Sequence, residues 1–179
     1  MHVTAATAED VDAVADLWVD LATDQRDHGS TLLASANLTA VRESIARHVF
    51  SGEVFLARAN APADDEETRH DLLGFVSFSL EHGGYERDRR RGVVENLYVV
   101  PEHRGEGIGS ALLDAAERAL AESGAETVAL EALVDNERAR AFYRDHGYDP
   151  NRVELTKPIS GDEDGENPGS EDARADDTE

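Results

Sequence analysis

The segment Val93–Gly109, VVENLYVVPEHRGEGIG, constrains the fold of this chain more than any other. Its first half is rich in β-branched residues, which favour a strand, and Pro101 cannot continue a central strand because it lacks a backbone donor. Glycines at positions 105, 107 and 109 then precede the amphipathic run Ser110–Glu122. The segment therefore predicts a strand, a tight turn and a helix, in that order.

The turn has the chemical features of a phosphate-binding loop. Glycine lacks the Cβ that would keep a ligand away from the backbone, and the first turn of a helix offers unpaired N–H groups and the positive end of the helix dipole. Arg104, directly before the glycines, could add a forked, charge-assisted contact. The alternative is a β–α turn that uses glycine for geometry alone. The spacing is neither GxxxxGK[ST] nor GxGxxG.

The wider pattern resembles the GCN5-related N-acetyltransferase (GNAT) family. Arg104-x-x-Gly107-x-Gly109 resembles the acetyl-CoA motif of that family, and the spacing from Asn136 to Tyr143 resembles its downstream helix. The resemblance is close over residues 93–150 and looser before them. It implies an α/β domain over residues 1–159, with a mixed central sheet of about six to seven strands, helices on both faces and splayed central strands. The composition of residues 160–179 predicts a disordered acidic tail.

The resemblance also implies where acetyl-CoA, as co-substrate, would bind. The pantetheine arm would pair with the backbone of the central strand, and the glycine turn would hold the diphosphate. Asn136 would cap its helix and also touch the cofactor. The residues implied in cofactor binding are Leu97, Tyr98, Val99, Arg104, Gly105, Glu106, Gly107, Ile108, Gly109, Ser110, Asn136 and Tyr143.

Acetyl transfer from a thioester to an amine needs a neutral amine, a donor for the oxyanion and a proton for the departing thiolate. The family places a tyrosine beside the coenzyme sulfur, which makes Tyr143 the predicted proton donor; a core tyrosine is the alternative. Glu95 and Glu131 are the candidate bases, and we favour Glu95 slightly. Because the chain has no cysteine and no GxSxG elbow, we expect direct attack in a ternary complex. No HExxH spacing is present, and no metal is expected.

The composition narrows the class of partner. The net charge is −22, and the basic residues are 16 arginines and the single Lys157. This balance argues against nucleic-acid binding, which needs clustered cations, and predicts adaptation to high salt in a halophilic source. No apolar run of about 18 residues and no apolar N-terminal segment are present, so we expect no membrane partner and a cytoplasmic location.

We therefore predict an N-acetyltransferase acting on a primary amine, which could be a small amine, a lysine or a protein N-terminus, with a homodimer left open. The alternative function is a non-catalytic acyl-CoA-binding sensor or partner-binding domain of the same fold. The cluster between Arg87 and Arg91 could hold an acidic substrate or the 3′-phosphate of the cofactor. Pairing of these arginines with surface carboxylates is the favoured alternative.

Hydrophobic periodicity and turn residues predict the remaining elements. The predicted helices are those from about Thr7 to His28, Thr39–Phe50 and Asn136–His146. The predicted strands are Val3–Ala5, Val54–Ala59, Leu72–Leu80, Glu126–Val134 and Arg152–Ile159.

Overall fold

The structure is a computed structural model, and it describes residues 1–60, 72–81 and 88–158. The chain divides into two compact units, Met1–Tyr148 and Asp149–Glu179. The elements are β1 (His2–Ala5), α1 (Val11–Arg26), α2 (Leu38–Phe50), β2 (Val54–Arg58), β3 (Leu72–Leu80), β4 (Arg91–Val99), α3 (Ile108–Glu122), β5 (Thr127–Leu130) and α4 (Glu137–Asp145). Within the described ranges, no helix is both long enough and apolar enough to cross a membrane.

The five strands form one sheet in the order β1-β2-β3-β4-β5. Neighbouring strands are antiparallel except β4 and β5, which are parallel. The sheet is therefore mixed, as predicted, but it has five strands in the described residues where we predicted six to seven.

In the C-terminal part, one predicted strand is missing and another is shorter than predicted. Residues 151–158 form no strand, although we predicted one over Arg152–Ile159; Ile159 itself lies outside the described residues. Val153 and Leu155 are 79% and 89% exposed. An alternating apolar pattern forms a strand only where a sheet face buries its apolar side chains, so the pattern alone was not sufficient here. β5 also ends at Leu130 instead of Val134. The predicted tail over residues 160–179 lies outside the described part of the chain.

Helices cover both faces of the sheet, as predicted, because each face carries its own apolar core. On one face, α1 and α2 pack against the sheet, and on the other face α3 does so, with side chains of α4 beside it. The first core includes Val14, Ala15, Ile45, Leu56 and Phe75. The second includes Val76, Phe78, Leu112, Leu113, Ala116 and Leu120, with Phe142 and Tyr143 against it.

The pairing of β4 with β5 ends halfway along β4. The last aligned residues are Val94 and Leu130, whereas β4 continues beside β3 as far as Val99. The two strands therefore separate after Val94 and Leu130, and we call this point the fork. It lies where the resemblance implied a splay.

A bulge lies at the same point. Ser77 aligns with Asn96 and Phe78 aligns with Val94, so Glu95 is an extra residue of β4 that has no partner in the register of β3. A bulge bends its strand and redirects the side chains beside it. Glu95 is thus both the bulged residue and the first residue of β4 beyond the fork.

Candidate active site

The glycine turn after β4 presents a row of backbone donors. Gly107 is the N-cap of α3 at φ +82°, and Gly105 has φ +90°, a region that strains any residue with a Cβ. The amides on either side are engaged, since the N–H of Arg104 donates to Pro101 and that of Ala111 donates to Gly107. Between them, the amides of residues 105–110 have no acceptor in the described part of the chain. The glycine turn and the first turn of α3 therefore present a row of free backbone donors, the arrangement that suits an anion at a helix N-terminus.

The side chain of Arg104 makes contacts that we did not predict. Its Nε donates to the carbonyl of Val99 at 2.8 Å, and its Nη2 pairs with Asp24 of α1 at 2.5 Å. Its guanidinium also lies over the ring of Tyr98, 5.4 Å from the centroid. These contacts tie the turn to α1 and to the end of β4. The forked contact of Arg104 with a phosphate stays a prediction.

The first turn of α3 is docked against α4. A Cβ at Gly109 would lie 3.4 Å from the ring of Phe142, at ordinary van der Waals distance, so the ring packs directly over this position. Ser110 Oγ lies 2.9 Å from Nε2 of His146, whose Nδ1 lies 2.7 Å from the carbonyl of Phe142. Ile108 is buried in the core on this face. The packing therefore links the position of α4 to the turn.

Tyr143 is the partly buried tyrosine of α4. Asn136 caps this helix, because its side chain accepts a hydrogen bond from the N–H of Ala139 at 2.9 Å. Burial raises the pKa of Tyr143 to about 12, so the phenol is protonated at neutral pH. Its hydroxyl has no hydrogen bond partner in the described residues, whereas the hydroxyl of the neighbouring Tyr148 donates to Glu117 at 2.6 Å.

One edge of β4 beyond the fork carries backbone groups without a strand partner in the described residues. The N–H of Val100 donates to Leu73 of β3, and backbone groups of successive strand residues point to opposite edges. Leu97 and Val99 therefore direct theirs toward the fork. The Val99 carbonyl already accepts from Arg104. The side chain of Tyr98 is buried on the α1 side of β4, and its pKa is raised by burial and then by Asp24.

Glu95 is held by two donors from different elements. Ser79 Oγ of β3 donates to Oε1 at 2.7 Å, and Nε2 of His48 in α2 lies 3.1 Å from Oε2. The hydrogen bond from His48 lowers the pKa of Glu95 below its usual value, although burial opposes this shift. The same bond raises the pKa of His48, and a bond to the carbonyl of Ser44 adds to this.

Glu131 lies on the other arm of the fork, directly after Leu130. It is exposed, and in the described residues no hydrogen bond or ion pair holds its side chain. The two candidate bases therefore lie at the same fork, and Glu95 is the one with a fixed carboxylate. Glu106 lies in the turn, where it pairs with His103 at 3.2 Å.

Sequence reasoning missed the residues that support these groups. His48, Ser79 and Asp24 lie far along the chain from their partners and belong to no motif. His146 ends the predicted helix Asn136–His146, but its contact with Ser110 was not predicted. The charge of Asp24 and the helical positions of His48 and His146 gave no signal of a partner.

A model of the Acetyltransferase (GNAT) family matches residues 39–148, a range that contains the fork, the glycine turn and α4. The chain belongs to the GNAT family. GNAT enzymes use acetyl-CoA as co-substrate, and membership supports an N-acetyltransferase activity. The resemblance stated from the sequence motifs is confirmed at this level.

Several proteins named as N-acetyltransferases are similar to this chain. An aminoalkylphosphonate N-acetyltransferase of Salmonella typhimurium is 28% identical over 86% of this chain and 88% of its own length. The uncharacterized N-acetyltransferase YjcF of Bacillus subtilis is 30% identical over 54% of this chain and 71% of its own. The crystal structure of a GCN5-related N-acetyltransferase from Ralstonia eutropha superposes with a TM-score of 0.65 at 25% identity, covering 89% of this chain and 99% of that one.

Proposed function

We propose that this GNAT protein transfers the acetyl group of acetyl-CoA to a primary amine by direct attack in a ternary complex. The observation that carries the proposal is the fork between β4 and β5. Free amides lie beyond it in the glycine turn, and one side chain able to handle a proton lies on each face: Glu95 on the α2 side and Tyr143 on the α3 side. An acyl transfer needs these three elements together.

The proposed binding mode follows from the backbone groups. The amides of residues 105–110 would hold the diphosphate, because a helix N-terminus combines free N–H groups with a favourable dipole. The pantetheine arm would lie along the edge of β4 at Leu97 and Val99, as an added strand does. This arrangement would bring the thioester to the fork. A backbone N–H of this edge would donate to the oxyanion.

The high pKa of Tyr143 defines its proposed part in the reaction. A phenol with a pKa of about 12 facing a thiolate with a pKa of about 8.5 would transfer its proton uphill by about 5 kcal/mol, at about 1.4 kcal/mol per pKa unit. Burial of the thiolate raises its own pKa and narrows this gap. Tyr143 would therefore stabilise the departing thiolate first by hydrogen bonding, and full transfer would follow as the thiolate forms.

The lowered pKa of Glu95 indicates when this carboxylate would take a proton from the amine. An ammonium group has a reference pKa of about 10.4, so an ionised carboxylate with a pKa below about 4.5 cannot deprotonate much of it in advance. Glu95 would instead attract the cationic amine, and the small fraction that has lost one proton to solvent would attack the thioester. Glu95 would then accept the second proton from the nitrogen, which the new C–N bond has made acidic. Glu131, on the opposite arm, would be the base in the competing version.

The charge near the end of β4 favours a cationic acceptor. Burial raises the pKa of Asp20 on α1, and the neighbouring carboxylates of Asp24 and Asp16 add to the shift. Such crowded carboxylates are stabilised by an incoming cation. The Salmonella relative is named for an aminoalkylphosphonate acceptor, so amines that also carry an acidic group belong among the candidates.

The overall charge supports a further part of the proposal, adaptation to high salt. At about 1 M salt the Debye length is about 3 Å, so distant carboxylates would repel the polyanionic cofactor little. Calorimetry should then show tighter binding of CoA at high than at low KCl; tighter binding at low KCl would contradict this. A cytoplasmic location, a homodimer and the absence of nucleic-acid and membrane partners stay predictions.

The test is release of free thiol from acetyl-CoA with a panel of amines: a polyamine, free lysine, a peptide with a free N-terminus and an aminoalkylphosphonate. We expect turnover with at least one class. Calorimetry with CoA, ADP and NAD should show binding of CoA in preference to the other two. Binding of CoA without thiol release from any amine would favour the non-catalytic sensor. Absence of CoA binding would overturn the use of the glycine turn itself.

A further inference from the structure

His48 is a partly buried histidine that the proposed reaction does not yet use. It lies in the last turn of α2, and its side chain is 18% exposed while that of Glu95 is 34% exposed. Its Nε2 lies 3.1 Å from the carboxylate of Glu95, and its Nδ1 lies 2.8 Å from the carbonyl oxygen of Ser44.

The carbonyl oxygen of Ser44 can only accept, and so can the carboxylate of Glu95 while it is ionised, so both ring nitrogens of His48 then face acceptors. A neutral imidazole has one N–H, so it would leave one of the two contacts without a proton. An imidazolium donates in both directions. With Glu95 ionised, the geometry therefore favours the charged form of the ring, whereas a neutral ring would need a protonated Glu95 to make the same two contacts.

The surroundings of the pair favour the same state. Glu95 faces the ring from β4, and Glu53, in the turn between α2 and β2, adds a second negative charge near it. Ser44 contributes its carbonyl from α2, and the hydroxyl of Ser79 faces Glu95 from β3. Of the described groups that face the pair, none is a further cation that would compete with His48 for Glu95.

The donors leave Glu95 able to bind one more partner. An ionised carboxylate has about four lone-pair sites. His48 uses one on Oε2 and Ser79 uses one on Oε1. Each oxygen therefore keeps an acceptor site for an amine or a water, while the carboxylate cannot rotate without losing both contacts.

We propose that His48 is a positioning residue for Glu95: as an imidazolium it holds the carboxylate ionised and fixed at the fork, facing the acceptor amine. This inference rests on the proposed function, because His48 can position Glu95 for catalysis only if Glu95 acts on the amine in an acetyl transfer. The pair of imidazolium and carboxylate has no net charge. The ionised carboxylate of Glu95 is therefore not an isolated anion before it takes up a proton from the amine.

The first test uses the free protein and needs no substrate. NMR of the histidine ring nitrogens should show both nitrogens of His48 protonated at pH 7. Glu95→Gln should lower the pH at which His48 titrates, and His2, on the opposite edge strand β1, should not respond. A neutral His48 at pH 7, or one that is insensitive to Glu95→Gln, would overturn the pair.

The second test measures kcat and KM against pH, with acetyl-CoA and the amine of the panel above that gives the highest rate. His48→Gln keeps a neutral donor but removes the charge. We expect the acid limb of kcat/KM to move up by about one pH unit, because Glu95 loses its imidazolium partner, and kcat to fall about tenfold, because the carboxylate is no longer held in place. His2→Gln is the matched control and should leave both unchanged. In the Glu95→Gln background, His48→Gln should have little further effect.

A purely structural role for His48 predicts a different result. His48→Gln would then lower activity by the same factor at every pH and also in the Glu95→Gln background, and this outcome would contradict the proposal. If the wild type turned over no amine although NMR showed the pair intact, the proposed function would fail and the positioning role with it. The pair would then stand as a structural contact.

Discussion

The two faces of the fork treat their ionisable groups in opposite ways. On the α2 side, Glu95 is surrounded by donors from His48 and Ser79, which lower its pKa. On the α3 side, Tyr143 lies among aromatic rings and apolar side chains, and burial raises its pKa to about 12. One face therefore keeps a carboxylate deprotonated while the other keeps a phenol protonated. The ordinary pKa values already leave the carboxylate ionised and the phenol protonated at neutral pH, and the two environments widen the gap between them.

The largest effect is expected from removing the hydroxyl of Tyr143 on the α3 side of the fork. Tyr143→Phe should lower kcat by about 10²–10⁴-fold, the range of general acid catalysis, because the thiolate loses its donor. The affinity for CoA should change little, since the ring remains. Activity of the wild type should show no alkaline limb due to Tyr143 below about pH 11, because the phenol keeps its proton up to about pH 12.

The matched control is Tyr148→Phe, which removes a hydroxyl bonded to Glu117 on the same face. It should cost stability, by about 1 kcal/mol for one lost hydrogen bond, and leave kcat within a few-fold. Equal losses of kcat in the two variants would show that Tyr143 is not the specific proton donor to the thiolate.

The next effect compares the two arms of the fork. Glu95→Gln should reduce kcat/KM by about 10²-fold and abolish the acid limb of the pH profile, because the amide cannot accept a proton. Glu131→Gln, at the exposed arm, should retain most activity. The reverse order would assign the base to Glu131 and leave Glu95 as a structural residue.

A third comparison separates strain from binding in the glycine turn. Gly107 and Gly52 both have positive φ, +82° and +74°, and open space where a Cβ would lie. Substitution by Ala should therefore destabilise each site by about 1–2 kcal/mol through backbone strain. Gly107→Ala should in addition weaken CoA binding about tenfold in calorimetry, whereas Gly52→Ala should leave it unchanged. Equal affinities would place the diphosphate elsewhere.

The smallest effect expected is the contribution of the His48–Glu95 pair, on the α2 side of the fork, to the stability of the fold. The folded pKa of His48 is raised, so its contribution is present below about pH 6.5 and is lost as pH rises through the folded value. The folded pKa of Glu95 is lowered, so its contribution is present above about pH 4.5 and is lost as pH falls. Thermal melts should show His48→Gln lowering Tm most near pH 5.5, by about 2 °C, and less at pH 3 and pH 9. A constant difference across this range would contradict the ion pair.

The sequence by itself determined the elements that depend on near neighbours. The glycines at 105 and 107 predicted a turn, and in the structure both adopt positive φ, which glycine does without strain. Asn136 predicted its own role as a cap, because the bond joins residues three apart. The strand β4 and the helix α3 were also predicted from their own residues, and the family was predicted from the motif at Arg104–Gly109 together with the spacing from Asn136 to Tyr143.

Only the tertiary structure decided which distant residues meet. The end of β5 at Leu130 and the absence of a strand over residues 151–158 depend on the partner available to each backbone edge, which a local pattern does not contain. The pairing of His48 with Glu95 and of Arg104 with Asp24 likewise joins elements brought together by packing against the two cores. Local backbone preferences extend over a few residues, whereas the ionisation of a side chain depends on every group that the fold places beside it.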